Sequence, residues 1–177
     1  PLQHGSDAVL RRMKRPSLRV SRQSIDTMRA ALPEVALRTT FIVGFPGETE
    51  KEFEELLDFI RGFRFERVGA FTYSDEDGTS AVGLDAKVAR SVSRARHRTL
   101  MKLQHGIMRE QLAARVGESV QVLVDSGSAG YAVGRTWSQA PEVDGCVLLR
   151  GESRTGALVN ARVTGLRDVD LEAEVTA

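Results

Sequence analysis

The chain has 177 residues, 41% of them hydrophobic and 28% charged, with a net charge of +1. That is an ordinary globular composition, with room for one good core or two small ones. It excludes a membrane-spanning helix, because no apolar run approaches the length a bilayer needs, and its single cysteine, Cys146, excludes an internal disulfide or a cysteine-only metal site built from this chain alone.

Taken in chain order, the first part alternates helix and strand. Gly5-Ser6-Asp7 opens a short helix with Val9, Leu10 and Met13 inward, ended by Pro16. Ser21 or Ser24 caps a second helix with Ile25, Met28 and Leu32 on one face, closed by Pro33. Leu37–Val43 is rich in β-branched and aromatic residues and reads as a buried strand. Gly44-Phe45-Pro46-Gly47 breaks it. Thr49 and Glu52 form a capping box for the next helix, with Phe53, Leu56, Leu57 and Ile60 as its apolar stripe. Arg67–Tyr73 is a second buried strand, and the alternation predicts parallel βαβ units. Residues 74–87 form a polar loop. A long helix follows over about Val88–Ala114, with Val92, Leu100, Leu103, Ile107 and Ala114 on one side. Its other side is basic: Arg90, Arg94, Arg96, Arg98, Lys102 and Arg109. A solvated face explains such a run most simply, and docking on phosphates competes with that.

After Gly117 the period becomes alternating. Ser119–Asp125, Ala132–Trp137, Val147–Leu149, Leu158–Thr164 and Leu171–Val175 read as five short strands of a small OB-like barrel. Charge divides with the pattern. Residues 1–116 carry 20 Lys+Arg against 15 Asp+Glu, net +5, and residues 117–177 carry 5 against 9, net −4. This sign change suggests two modules with different partners.

Three constellations bear on chemistry. The strand, turn and helix over 37–60 place backbone N–H groups at a strand's carboxyl end, where α/β folds bind ligands. On period two, Arg38, Thr40, Ile42 and Gly44 share a strand face, and an arginine and a threonine on a buried face need partners. Gln3 and His4 sit where a strand end meets a turn, although a lone histidine is more often structural. Ser74-Asp75-Glu76-Asp77 lacks a calcium-loop pattern and suits a basic partner better than a cation. Cys146, in the run CVLL, reads as a small buried hydrophobe.

In this order and spacing, PLQHGSD, RRMKRP, LRTTFIVGFPGETEKEFEELLDFI and RFERVGAFTYSDEDGT closely resemble the radical S-adenosylmethionine methylthiotransferases. RTLMKLQ (Arg98–Gln104) and VGESVQVLVD with AVGRTWSQAPEVDG resemble that family's linker helix and TRAM domain. The resemblance implies an α/β fold: part of a (β/α) radical-SAM barrel over 1–87, a linker helix over 88–116 and a TRAM barrel over 117–177. Gln3-His4, Thr40 and the Tyr73–Thr79 loop resemble the branch that adds a methylthio group to the β-carbon of an aspartate in a small-subunit ribosomal protein. Ser80 departs from the proline often found after the Gly-Thr of that loop.

The same resemblance implies S-adenosylmethionine and 4Fe–4S clusters as cofactors. The cluster ligands are expected outside this chain, in a missing N-terminal half, since the chain opens without Met and has one cysteine. Cofactor-contacting positions implied by the family are Gln3, Arg38, Thr40, Ile42, Gly44, Phe71 and Tyr73, and Asp75, Glu76 and Asp77 are expected to dock a basic substrate protein. No catalytic residue or metal ligand is expected in this segment, and the isolated chain is expected to be inactive. The location implied is cytoplasmic, with an electron donor the residues do not identify. The alternatives are a tRNA methylthiotransferase portion and a non-catalytic RNA- or protein-binding module.

Overall fold

The computed structural model describes residues 1–176, which form two compact units, Pro1–Ile107 and Met108 onward. In the first unit, α1 (Asp7–Arg12) and α2 (Leu18–Ala31) precede β1 (Arg38–Val43), α3 (Glu50–Phe63) and β2 (Arg67–Thr72). Helix α4 (Arg90–Ala113) begins in this unit, and its last turns belong to the second.

Strands β1 and β2 pair in parallel, in the register Thr40 with Gly69 and Ile42 with Phe71. The Pro1–His4 segment adds a third parallel edge: Gln3 N–H donates to the Thr40 carbonyl (3.0 Å) and Ile42 N–H to the Gln3 carbonyl (2.9 Å). Period two divides β1 cleanly. Thr39, Phe41 and Val43 are buried against α3, whereas Arg38 is exposed and Thr40 and Ile42 are half-buried. The expectation that Arg38 and Thr40 lie on a buried strand face is therefore corrected: Arg38 is exposed and Thr40 only half-buried. The core gathers Phe41, Phe53, Leu56, Leu57, Phe59, Ile60 and Phe65, with edge-on rings of Phe41 and Phe59 6.3 Å apart.

The capping box forms as read: Thr49 accepts from Glu52 N–H, and Glu52 accepts from Thr49 N–H (2.7 Å). Helix α2 does not start at Ser21 or Ser24. It starts at Leu18, whose N–H donates to the Asp7 carboxylate (2.6 Å), a cap supplied by α1 rather than by a neighbouring serine. Met28 and Leu32 are exposed, leaving Ile25 as the buried residue of that helix. On α4 the expected inward face holds in part: Leu100 and Ile107 are buried and Leu103 packs against the core, whereas Val92 and Ala114 are exposed and the polar Ser93, Arg96 and Gln104 are buried instead.

The second unit is a closed barrel of β3 (Ser119–Ser128), β4 (Tyr131–Arg135), β5 (Val147–Arg150), β6 (Leu158–Arg167) and β7 (Asp170–Val175), in the order β3-β4-β5-β7-β6. All five expected strands are present. β3 runs three residues past Asp125 because a bulge between Val124 and Ser126 lets pairing with β4 continue. The alternating residues Val120, Val122, Val124, Leu149, Ala161, Val163, Leu171 and Ala173 fill the interior. Cys146 is half-buried rather than fully buried, and desolvation, with Asp170 beside it, holds its thiol above the usual range.

Burial pushes the Glu52 carboxyl up, but hydrogen bonds from Arg12 and from the Thr49 backbone and hydroxyl outweigh this and hold it below its ordinary 4.5. A depressed carboxyl supplies stability that is complete above its unfolded value and lost as pH falls through the folded one. Glu52→Gln should therefore lower the urea midpoint of the first unit at pH 7, and the gap to wild type should close as pH drops below 4.5. A gap that persists unchanged at low pH would contradict this assignment.

Candidate functional site

The carboxyl ends of β1 and β2 converge on the turn Gly44–Thr49. Gly44 takes φ +76° and Gly47 φ +77°, in the left-handed region. A Cβ on Gly44 would lie 2.0 Å from Ser93 Oγ, so α4 approaches the turn where only hydrogen fits.

The turn does not present its amides to a ligand. Glu48 folds its carboxylate back beneath it, fully buried, and Oε2 accepts from Gly44 N–H (2.8 Å) and Phe45 N–H (3.4 Å). Gly47 N–H donates to the Ala86 carbonyl (2.8 Å), Glu48 N–H to the Phe45 carbonyl (2.9 Å) and Thr49 N–H to Glu52 (2.7 Å). An internal carboxylate occupies the anion-accepting position expected for a ligand, which corrects that reading of the turn.

A buried carboxylate needs a countercharge. Arg96 supplies it from α4, with Nη1 2.8 Å from Glu48 Oε1 and 3.0 Å from the Glu48 carbonyl, and Nη2 3.0 Å from Glu50. Its guanidinium also lies 5.4 Å from the Phe53 ring centroid. Arg96 was grouped by sequence with the solvated basic face, yet it is 7% exposed. His4 completes the cluster. Its Nδ1 accepts from Ser6 N–H (3.0 Å) and its Nε2 lies 3.4 Å from Glu48 Oε2, both side chains fully buried. The histidine is thus a buried structural group. The sequence signal that could have found this cluster is the spacing Ser93, Arg96, Leu100, Gln104 and Ile107, a helical stripe in which the arginine shares a face with core residues.

The remaining positions fall around this cluster. Gln3, at φ +72°, bridges to β1 beside Thr40 and Ile42. Ile42 and Phe71 are register partners on adjacent strands, and Phe71 is 63% exposed. Tyr73 N–H donates to the Val43 carbonyl (2.9 Å), and its ring stands edge-on to Phe45 at 5.2 Å. So Gln3, Thr40, Ile42, Gly44, Phe71 and Tyr73 lie on neighbouring strands and the turn that ends them. The Tyr73 hydroxyl, however, is spent on Asp75 Oδ1 (2.8 Å). Desolvation and that carboxylate raise the Tyr73 phenol above its ordinary range. Asp75 also pairs with Lys87, whose ammonium lies 5.3 Å from the Tyr73 ring, and the hydrogen bonds from Lys87 and Tyr73 depress its carboxyl. Of the three loop acids, Asp75 is therefore neutralised locally. Ser74 Oγ lies 2.9 Å from Glu76, which makes no ion pair among the described residues, and Asp77 is exposed.

Comparison with known proteins agrees with both units. Residues 1–60 match the radical SAM superfamily, and residues 116–176 match the TRAM domain. The chain thus joins a radical SAM segment to a TRAM domain. Ribosomal protein uS12 methylthiotransferase RimO from Shewanella amazonensis is 44% identical over 181 residues, covering 100% of this chain and 38% of that protein. The Sorangium cellulosum and Thermotoga sp. RQ2 proteins of the same name are 45% and 40% identical, each covering 99% of this chain and 37% and 41% of theirs. Over its whole length the chain is similar to RimO-type methylthiotransferases, and it spans about two fifths of the length of those relatives.

Removing Arg96 should strand the Glu48 charge. Arg96→Met is expected to cost about 3–5 kcal/mol in the first unit by urea unfolding, and adding Glu48→Gln should recover a large part of it. A single variant as stable as wild type would show that the pair is not coupled as described.

Proposed function

We propose that this chain forms the part of a radical S-adenosylmethionine methylthiotransferase that borders the cofactor and docks a basic substrate protein, the target being an aspartate β-carbon of ribosomal protein uS12. The observation that carries the reading is the match along the whole chain to RimO relatives, through both units and in one order.

The residues fit the nucleoside sulfonium better than the cluster. The chain's single cysteine cannot provide the three thiolates of a 4Fe–4S centre, and no group of three or more metal-ligating side chains occurs among the described residues. The face of β1 that carries Thr40 and Ile42 offers what S-adenosylmethionine needs: the Thr40 hydroxyl as a donor and the Ile42 side chain for an adenine face, with Arg38 at its start and Gln3 on the next strand. Gly44, Phe71 and Tyr73 bound the carboxyl end of that face. Gly44 would act through its small size and its carbonyl, since its N–H is taken by Glu48. When bound, S-adenosylmethionine supplies the radical-generating sulfonium; this chain's share is to orient it and exclude water around it.

Docking rests on charge. Residues 117–177 carry net −4, and Glu76 and Asp77 add acid that no ion pair offsets among the described residues. Such fields attract a basic ribosomal-protein segment. No helix among the described residues is long and apolar enough to cross a membrane, in keeping with action on a ribosomal protein in the cytoplasm.

The test is calorimetric binding of uS12 to the chain. Affinity is expected to fall severalfold between about 50 and 200 mM salt. Glu76→Ala with Asp77→Ala should weaken it further, and Asp75→Ala should do less, because Lys87 already screens that carboxylate. Affinity that is indifferent to salt and to all three substitutions would defeat the docking role.

A further inference from the structure

Helix α4 carries a feature that neither cofactor binding nor protein docking uses. Arg90, Arg94, Arg98 and Lys102 recur every four residues, all exposed, and so form one ridge along the helix. No carboxylate pairs with any of them among the described residues; the arginine of this helix that does pair with the turn acids, Arg96, faces the interior. The first acid on the helix is Glu110, twenty residues from its start.

This arrangement weakens the helix. Like charges at i,i+4 repel, and Arg90 and Arg94 crowd cations at the end where the helix dipole is already positive, with no acid in the first turn. Helix α3 is not built this way: it opens with Glu50 and Glu52 and pairs Arg61 with Asp58. Helix stability therefore does not account for the ridge, but an external polyanion does. Three of the four cations are arginines, whose planar forks suit phosphate oxygens. Beside them Arg94, His97 and Arg98 line a shallow cavity of about 320 Å³ with Ala70, Phe71 and Thr72.

We infer that the Arg90–Arg94–Arg98–Lys102 ridge binds the phosphate backbone of single-stranded RNA. The ridge belongs to the first unit and the acidic barrel to the second, so an RNA partner and a basic protein partner meet different surfaces.

The experiment is fluorescence anisotropy with the full chain and a fluorescein-labelled single-stranded RNA of about twelve nucleotides. With four phosphate contacts, log Kobs should fall with log salt at a slope of about −2.8, which is about a 50-fold loss between about 50 and 200 mM. The variant Arg90→Gln, Arg94→Gln, Arg98→Gln should flatten the slope to about −0.7. Its melting temperature should be equal to wild type or higher, because the repulsion is relieved. Should the triple variant fold poorly, Arg94→Gln alone should reduce the slope by about 0.7. Wild-type affinity in the folded variants overturns the inference. So does equal or tighter binding of labelled polyglutamate, which would mark the ridge as a site for an acidic protein.

Discussion

A single buried carboxylate organises the first unit. Glu48 holds the amides of Gly44 and Phe45, and Arg96 holds Glu48. The end of β1, the start of α3 and the second turn of α4 are thereby tied to one point, with His4 beside them. The amides of Gly44, Phe45, Gly47, Glu48 and Thr49 at this strand end are all taken within the chain. Its shape is set from behind by a charge pair whose burial makes either partner costly to lose alone. The left-handed Gly44 belongs to the same device, because Ser93 occupies the space where a side chain would be.

What the sequence made legible was local. The capping box depends on residues three apart, and the barrel strands on an alternation within five or six residues. Both were readable, including all five strands of the second unit. Long-range partners were not. The Asp7 cap of α2 spans eleven residues and the Arg96–Glu48 pair forty-eight, and no local period reveals either. Helix α4 misled for the same reason. Val92 fits an apolar stripe as well as Ser93 does, until the close approach at Gly44 demands a small polar residue there. Among the site residues, strand order and register brought Gln3, Thr40, Ile42 and Phe71 onto adjacent strands. The capture of Asp75 by Tyr73 and Lys87 could not be read from a loop that looked uniformly acidic.

The two units divide the electrostatic work. The first is basic where α4 is exposed, and the second is acidic over its barrel. Among the described residues no carboxylate pairs with the ridge cations, while Arg96, on another side of α4, is turned inward to balance Glu48. Sorting of this kind gives a protein two surfaces that attract opposite partners and repel each other's. It also explains why a whole-chain charge near zero says little about what the molecule meets.

The central claim is that Glu48, not a ligand, satisfies the amides of the β1–α3 turn. Amide hydrogen exchange at Gly44 and Phe45 measures this directly, with no cofactor or partner present. The account predicts exchange as slow as that of the β1 core amides in the wild-type chain, accelerating strongly at those two positions in Glu48→Ala while the barrel amides of the second unit stay unchanged. Exchange at Gly44 and Phe45 as fast as in the open 74–80 loop of the wild-type chain would contradict it.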